Sequence, residues 1–255
     1  MPILRKPIVW IGARLAAREG TIQRGEGKGL RFNATGGYAG YLLGTSEPEE
    51  QELLRRLLRS DDVFYDIGAN IGFYSTLAGR MVGCRGKVFA FEPFPASARA
   101  SRQNAKRNGF SHVTVVEAAV AGKNAVTELT TGDSSAAHKL EEGGNGVKVS
   151  VISIDSWRVE TKAPPPDVVM IDVEGAEIEV LKGMRNTIVE ALPALMIEVH
   201  WLGTAFTDYV EDQLAPLGYQ VTTYTGDGIP QGITRYHALI IQKRFFDLPH
   251  SPMHP

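Results

Sequence analysis

The chain has 255 residues, 43% of them apolar, and a formal charge of −2, enough for one ordinary domain with additions and without the basic excess of a nucleic-acid binder. Its one cysteine, Cys84, excludes an intrachain disulfide and fits a reduced, cytoplasmic protein. Arg14 and Arg18 interrupt the short apolar run near the start and no small-residue cleavage site follows, so neither a signal peptide nor a membrane span is expected.

Residues 1–45 read as an N-terminal extension, a lid or an interface. PIVWIGARLAA suggests a short helix, and TIQRGEGKGLRFN two strands around a Gly-rich turn. In SEPEEQELLRRLLRS, Ser46 and Glu49 have capping-box spacing, and leucines 53, 54, 57 and 58 form one stripe. An amphipathic helix is expected there. Residues 46–245 then form the main domain. Strand-like runs occur at VFYDIG, KVFAFEP, VTVVEAAV, DVVMIDVEG, ALMIEVH, YQVTTY and HALIIQK. Helical patterns separate most of them, at FYSTLAGRM, PASARASRQNAKRN, AEIEVLKGM and TDYVEDQLAPLG.

Continuous apolar strands alternating with helices predict a doubly wound α/β fold: a seven-stranded, mostly parallel sheet covered on both faces. The last two strands are joined by TGDGIPQGITR, too short for a helical crossover, so the final strand should be antiparallel. The stretch between residues 125 and 152 replaces a plain helix with a hairpin around a Gly/Ser-rich loop. Residues 246–255 are a Pro-rich tail.

Ligands of open α/β sheets bind beyond the carboxyl ends of the strands, where strand order reverses. The first strand of the rhythm ends there in Asp66-Ile67-Gly68-Ala69-Asn70-Ile71-Gly72. A dinucleotide turn wants a third glycine where Asn70 stands, and Asp66 would repel a pyrophosphate. A carboxylate there suits a cationic group instead, such as the amino end of an amino acid. The next strand ends in Phe91-Glu92-Pro93, and an acid at that place accepts hydrogen bonds from ribose hydroxyls. A ribose without phosphates, joined to a cationic amino acid, describes S-adenosylmethionine. Its adenine would lie at Glu117 and Ala118, where the third strand ends.

DIGANIGFYS, the following FEP, and IDVEGAEIEVLKG with IEVH resemble the FkbM family of S-adenosylmethionine-dependent methyltransferases over roughly residues 38–242. The resemblance implies a class I, Rossmann-like methyltransferase fold and O-methylation of a hydroxyl on a secondary metabolite or sugar. It places Asp66, Gly68 and Gly72 around the methionine part, with Asn70 in the same turn. It also puts Glu92 on the ribose, and Glu117 and Ala118 near adenine. Where the family usually has Lys before Ile-Asp-Val-Glu-Gly, this chain has Met170.

The fourth strand delivers Asp172 and Glu174, and the fifth delivers Glu198 and His200, all near strand ends. Alternation along a strand puts each pair on one face, and core strands seldom carry so many ionisable groups. Three readings stay open. The carboxylates orient a substrate, with His200 as general base and Asp172 next in line, Asp172 also touching the cofactor. A divalent metal sits among Asp172, Glu198 and His200, which is the less favoured reading. Or the acids cap helices, Glu174 above all, because Gly175-Ala176 opens one.

Ser134, Ser135 and His138 in the insertion either line the acceptor pocket or are solvated. Tyr38 and Tyr41 either help close the site or anchor the extension. Trp10 and Trp157 read as packing residues, and Cys84 lies away from the strand ends. The expected partner is a small hydroxylated molecule, and a homo-oligomer is compatible with the chain. Two alternatives remain: a non-catalytic relative of the fold, and a nicotinamide-dependent oxidoreductase, which Asp66 and Asn70 disfavour. Nucleic-acid methylation is disfavoured by the absence of an Asn/Asp-Pro-Pro-aromatic motif after strand four.

Overall fold

The computed structural model describes residues 19–35, 37–131, 138–140, 147–229 and 232–242. The helix expected over PIVWIGARLAA and the Pro-rich tail lie outside them. The chain runs through β1 (Glu19–Thr21), β2 (Arg31–Asn33), α1 (Ala39–Leu43), α2 (Pro48–Leu57), β3 (Val63–Ile67), α3 (Phe73–Val82), β4 (Lys87–Phe91) and α4 (Pro95–Arg107). It continues through β5 (Val113–Val116), β6 (Ala119–Val120), β7 (Ala125–Thr131), β8 (His138–Leu140), β9 (Val147–Ile152) and α5 (Ile154–Thr161). Then follow β10 (Val168–Ile171), α6 (Glu177–Gly183), α7 (Arg185–Ala191), β11 (Ala194–His200), α8 (Thr204–Gln213), β12 (Tyr219–Thr223) and β13 (Arg235–Gln242).

Seven strands form the central sheet in the order β12-β13-β11-β10-β3-β4-β5. The parallel strands β3, β4, β5, β10 and β11 are joined by helical crossovers. β13 runs antiparallel to both β11 and β12, as the short final connection requires. The continuous apolar runs follow from burial on two faces. Phe64, Met170 and Met196 pack on one side with Leu54 and Leu77. Tyr65, Ile67, Ile171 and Ile197 pack on the other with Trp157, Leu181 and Phe206. β4 and β5 step away from β3 on one side, and β10 and β11 on the other. The order therefore reverses at β3/β10, which places the candidate site beyond their carboxyl ends.

The β1–β2 hairpin is present, and Ile22, Phe32 and Leu42 bury against α3 residues in the main core. Asn104 on α4 ties it down: its Oδ1 accepts from the Asn33 N–H at 2.8 Å, and its Nδ2 donates to the Ile71 carbonyl at 2.9 Å. The extension is thereby fastened to the turn after β3. No helix among the described residues is long and apolar enough to cross a membrane.

Two local expectations are corrected. Ser46 and Glu49 form no capping box: α2 begins at Pro48, and Glu47 precedes it in a left-handed conformation, φ +45°, without a side-chain cap. The helix and its leucine stripe stand, with Leu53, Leu54, Leu57 and Leu58 buried. The run VTVVEAAV is not one strand. It breaks at Glu117-Ala118, and Ala119-Val120 pairs with β9 in a second sheet ordered β6-β9-β7-β8. The insertion is thus a small sheet in which β7 pairs antiparallel with both β8 and β9. Ser134 and Ser135 lie outside the described residues.

Candidate active site

The two glycines of the turn after β3 do different work. Gly68 has φ +89°, and a Cβ on it would stand 1.8 Å from the carbonyl oxygen of Asp172. Only a residue without a side chain lets the turn pass so close to the exit of β10. Gly72 has φ +80°, and its Cβ would meet Ser101 Oγ at 2.3 Å. It sets α3 against α4.

A cavity of about 240 Å³ crosses the carboxyl edge of the sheet over β4, β3, β10 and β11. Asp66, Gly68, Asn70, Glu92, Phe94 and Ala118 line one part; Asp172, Glu174, Glu198 and Arg235 line the other. Met170 lies between, in register with Asp66. Tyr41 joins the wall from the extension, stacked on Phe73 with ring centroids 4.5 Å apart.

Asp66 is buried, and Ser75 Oγ donates a short hydrogen bond to its Oδ2. Desolvation pushes its carboxyl up to about 6, against the pull of the Ser75 bonds. Glu92, also buried, accepts the Asn70 N–H on Oε2 and the Phe94 N–H on Oε1, both at 2.8 Å. Desolvation outweighs those bonds, and the charge of Asp66 adds to it, so Glu92 rises to about 7. Glu117 does not line this cavity. Its carboxylate pairs with Arg102 at 3.0 Å on the surface, while Ala118 turns inward.

The second part of the cavity is an acidic cluster around one fully buried imidazole. His200 Nδ1–H donates to Glu177 Oε1 at 2.8 Å. Its Nε2 stands 3.4 Å from Glu198 Oε1, 3.7 Å from Glu174 Oε2 and 3.8 Å from Asp172 Oδ1, with hydrogen-bond geometry to none. Burial works against the imidazolium, but Glu177, Glu198, Asp172 and Glu174 together raise His200 to about 10. That charge is opposite to what a general base at neutral pH needs. Asp172 is held well above the usual carboxylate range by desolvation and by the charge of Glu198, with His200 pulling the other way.

Glu174 caps no helix. α6 starts at Glu177 behind Ala176, while Glu174 sits at φ +53° and turns toward His200. Strand alternation fails for Asp172 and Glu174 because β10 ends at Ile171. It holds for Glu198 and His200 within β11. Glu198 is already engaged: the Arg235 Nε–H donates to it at 2.5 Å.

Several groups were not legible beforehand. Glu50 is buried, lies 2.9 Å from His237 Nε2 and receives the Tyr74 hydroxyl, which also lies 2.7 Å from Glu47. Burial and the charge of Glu50 raise Glu47 to about 7. A helical wheel carries the signal for Glu50, which shares a face with Leu54 and Leu57 at i+4 and i+7. Arg235 and His237 enter because β13 pairs His200 with Arg235 and Glu198 with His237. A single sequence gives no such register.

These charges set a pH dependence for the unliganded protein. Asp66 and Glu92, raised to about 6 and 7, lose their stabilising protons as pH climbs through those values. His200 and His237, both raised to about 10, contribute stability present in full below pH ~6.5 and lost through pH 10. Glu198 is lowered, despite desolvation, by His200, His237 and Arg235, so its contribution is present above pH ~4.5 and is lost in acid. Melting temperature should therefore peak near pH ~5 and fall steadily toward pH 10. A flat or rising Tm between pH 6 and 10 would contradict this charge assignment.

The family model described as the Methyltransferase FkbM domain matches residues 66–221. The hexuronic acid methyltransferase AglP of Haloferax volcanii is 32% identical over 158 residues, which cover 59% of this chain and 62% of that protein. The chain thus spans less than two thirds of that relative. Among solved structures, the methyltransferase FkbM of Methylobacillus flagellatus superposes with a TM-score of 0.51 at 19% identity, over 79% of this chain and 52% of that one. The family match takes in Asp66, Glu92, Asp172, Glu174, Glu198 and His200 together. With that match covering more than half of its length, the chain belongs to the FkbM methyltransferase family.

Proposed function

We propose that the protein transfers the methyl group of S-adenosylmethionine to an oxygen of a hydroxylated sugar or sugar acid. The observation that carries this reading is the single cavity joining the buried pair Asp66/Glu92 to the acidic cluster beyond β10 and β11. Its first part suits the cofactor. Asp66 takes the ammonium of the amino acid end, whose charge keeps the raised carboxyl ionised. Glu92 has one lone pair left on each oxygen for the ribose hydroxyls, after Asn70 and Phe94 have used the others. Ala118 and Phe94 offer an apolar surface for adenine. A pyrophosphate would lose the Asn70 N–H to Glu92 and face two carboxylates, which disfavours a dinucleotide.

In the transfer an acceptor oxygen attacks the methyl carbon in line with the breaking carbon–sulfur bond. The sulfonium becomes a neutral thioether, and the acceptor must give up its proton. Alignment in the cavity supplies much of the rate. Asp172 is the better placed base, because its carboxyl is raised and faces the cavity. Glu174 and Glu198 remain to accept hydrogen bonds from other acceptor hydroxyls.

Two observations favour a sugar acceptor. The relative named above carries hexuronic acid in its name. Trp201, 55% exposed and held at φ +54°, stands beside His200 with ring centroids 5.3 Å apart, outside the cavity lining, where an acceptor larger than one ring would reach it. The test is methyl transfer from labelled S-adenosylmethionine to a panel of hexuronic acid glycans, neutral glycans and hydroxylated secondary metabolites. Labelled sugar product is expected. Labelling confined to the non-sugar hydroxyls would overturn the acceptor class.

A further inference from the structure

The charges of the acidic cluster do not balance. Asp172, Glu174, Glu177, Glu198 and Glu50 converge on His200, His237 and Arg235, with Glu47 beside Glu50 on the Tyr74 hydroxyl. Glu198 is satisfied by Arg235, and Glu50 by His237 and Tyr74. Among the described residues, the imidazole of His200 is the cation within 4 Å of Asp172 and Glu174, and Arg235 acts on them only from a greater distance. The His200 Nε2 is fully buried, has no hydrogen-bond partner, and lies 3.7 Å from Glu174 Oε2 and 3.8 Å from Asp172 Oδ1, with the already engaged Glu198 at 3.4 Å.

We infer that Asp172, Glu174 and His200 form a binding site for one divalent cation of the Mg²⁺/Mn²⁺ class at the acceptor end of the cavity. This deepens the methyltransferase reading and rests on it for the ion's use, though not for its binding. Three lines of geometry carry it. One donor atom from each residue lies within 4.8 Å of the others. Around an octahedral ion at ~2.1 Å, adjacent donors are about 3.0 Å apart and opposed ones about 4.2 Å, so closing the present 3.7 and 3.8 Å separations from Nε2 needs side-chain shifts of just under about 1 Å. Next, His200 Nδ1–H is already given to the fully buried Glu177, which fixes the ring and turns Nε2 toward the two carboxylates. A carboxylate behind the imidazole is the usual support for a metal-ligating histidine, and the ion takes the place of the Nε2 proton that the surrounding carboxylates hold in its absence. Finally, Glu177 Oε1 also accepts the Gly175 N–H at 3.0 Å, so one buried carboxylate positions both the ring and the loop that carries Glu174.

Two carboxylates and one imidazole select a hard or borderline ion, with Mn²⁺ tolerating the nitrogen better than Mg²⁺. Three protein ligands leave positions for acceptor oxygens, so a vicinal diol or a hydroxy acid of a sugar is the ligand chemistry that fits. A hydroxyl bound there loses its proton to solvent more readily.

The test uses the full chain and Mn²⁺ alone, read by loss of the free-ion EPR signal, beside calorimetry with S-adenosylhomocysteine. One Mn²⁺ per chain is expected. Glu174→Gln and His200→Ala should weaken it by at least about tenfold, and Glu177→Gln by roughly 10- to 100-fold through the ring's orientation. Glu117→Gln, at the surface pair with Arg102, should change nothing. Cooperative melting of each variant separates lost binding from lost fold. No Mn²⁺ bound at millimolar concentration would overturn the site, as would equal affinity in wild type and Glu174→Gln. S-adenosylhomocysteine binding without Mn²⁺ would sink the ion site and spare the cofactor reading. Mn²⁺ binding without S-adenosylhomocysteine would do the reverse.

Discussion

Asp172→Asn should lower turnover by about 10²- to 10⁴-fold while the protein melts within a few degrees of wild type. The substitution keeps the shape of the side chain and removes the charge. In wild type the carboxylate meets the cavity, stands 3.8 Å from His200 Nε2 and is raised by desolvation beside Glu198. Whether it takes the acceptor proton itself or holds an ion that acidifies the acceptor, the amide can do neither. The loss should fall on kcat more than on the KM for S-adenosylmethionine, because the proposed cofactor contacts, Asp66 and Glu92, lie elsewhere in the cavity. His200 cannot replace it at neutral pH while four carboxylates hold its proton. An Asp172→Asn enzyme of normal activity would leave alignment and desolvation as the whole mechanism.

The second large effect is predicted for Gly68→Ala: a destabilisation of roughly 2–5 kcal/mol together with loss of cofactor binding. The methyl group would enter a space 1.8 Å from the Asp172 carbonyl oxygen, on a backbone held at φ +89°. Either the turn after β3 moves or the exit of β10 does, and these elements carry the two parts of the site. Gly29→Ala is the control. It has the same φ of +89° with nothing within 4 Å, so only the conformational cost of about 1 kcal/mol applies. Thermal melting of the pair compares backbone strain alone with strain plus collision. Equal Tm values for the two variants would show that the close approach carries no weight.

The sheet was legible because its strands are buried on both faces. VFYDI, VVMI and ALMIEVH have few alternatives to a central parallel position, and a short last connection permits only an antiparallel strand. The break at Glu117-Ala118 was not legible, since Val113–Val120 reads as one largely apolar run and its two parts differ in tertiary partners, β5 pairing with β4 and β6 with β9. In the site, residues at strand ends could be placed by order along the chain. Asp66, Glu92 and Ala118 line the cavity for that reason. Residues whose roles depend on contacts from other elements could not be. Glu117 and Ala118 are neighbours, yet one pairs with Arg102 outside while the other faces inward. Asp172 and Glu174 converge on His200 through a left-handed turn at Glu174, which no strand periodicity predicts. The charge state of His200 depends on Glu177, the first residue of a helix, which sequence alone would leave facing solvent.

The central claim is that the turn after β3 and the carboxylate after β4 hold S-adenosylmethionine. Titration calorimetry with its demethylated product S-adenosylhomocysteine, beside NAD, tests it most directly. One site for S-adenosylhomocysteine and no heat with NAD are expected at pH 8. Affinity should weaken as pH falls through about 7 and 6, because Glu92 and Asp66 must be ionised to receive the ribose and the ammonium. Glu92→Gln should weaken it by roughly 1.5–3 kcal/mol at pH 8. Tight NAD binding would contradict the account, and so would S-adenosylhomocysteine affinity indifferent to both pH and Glu92→Gln.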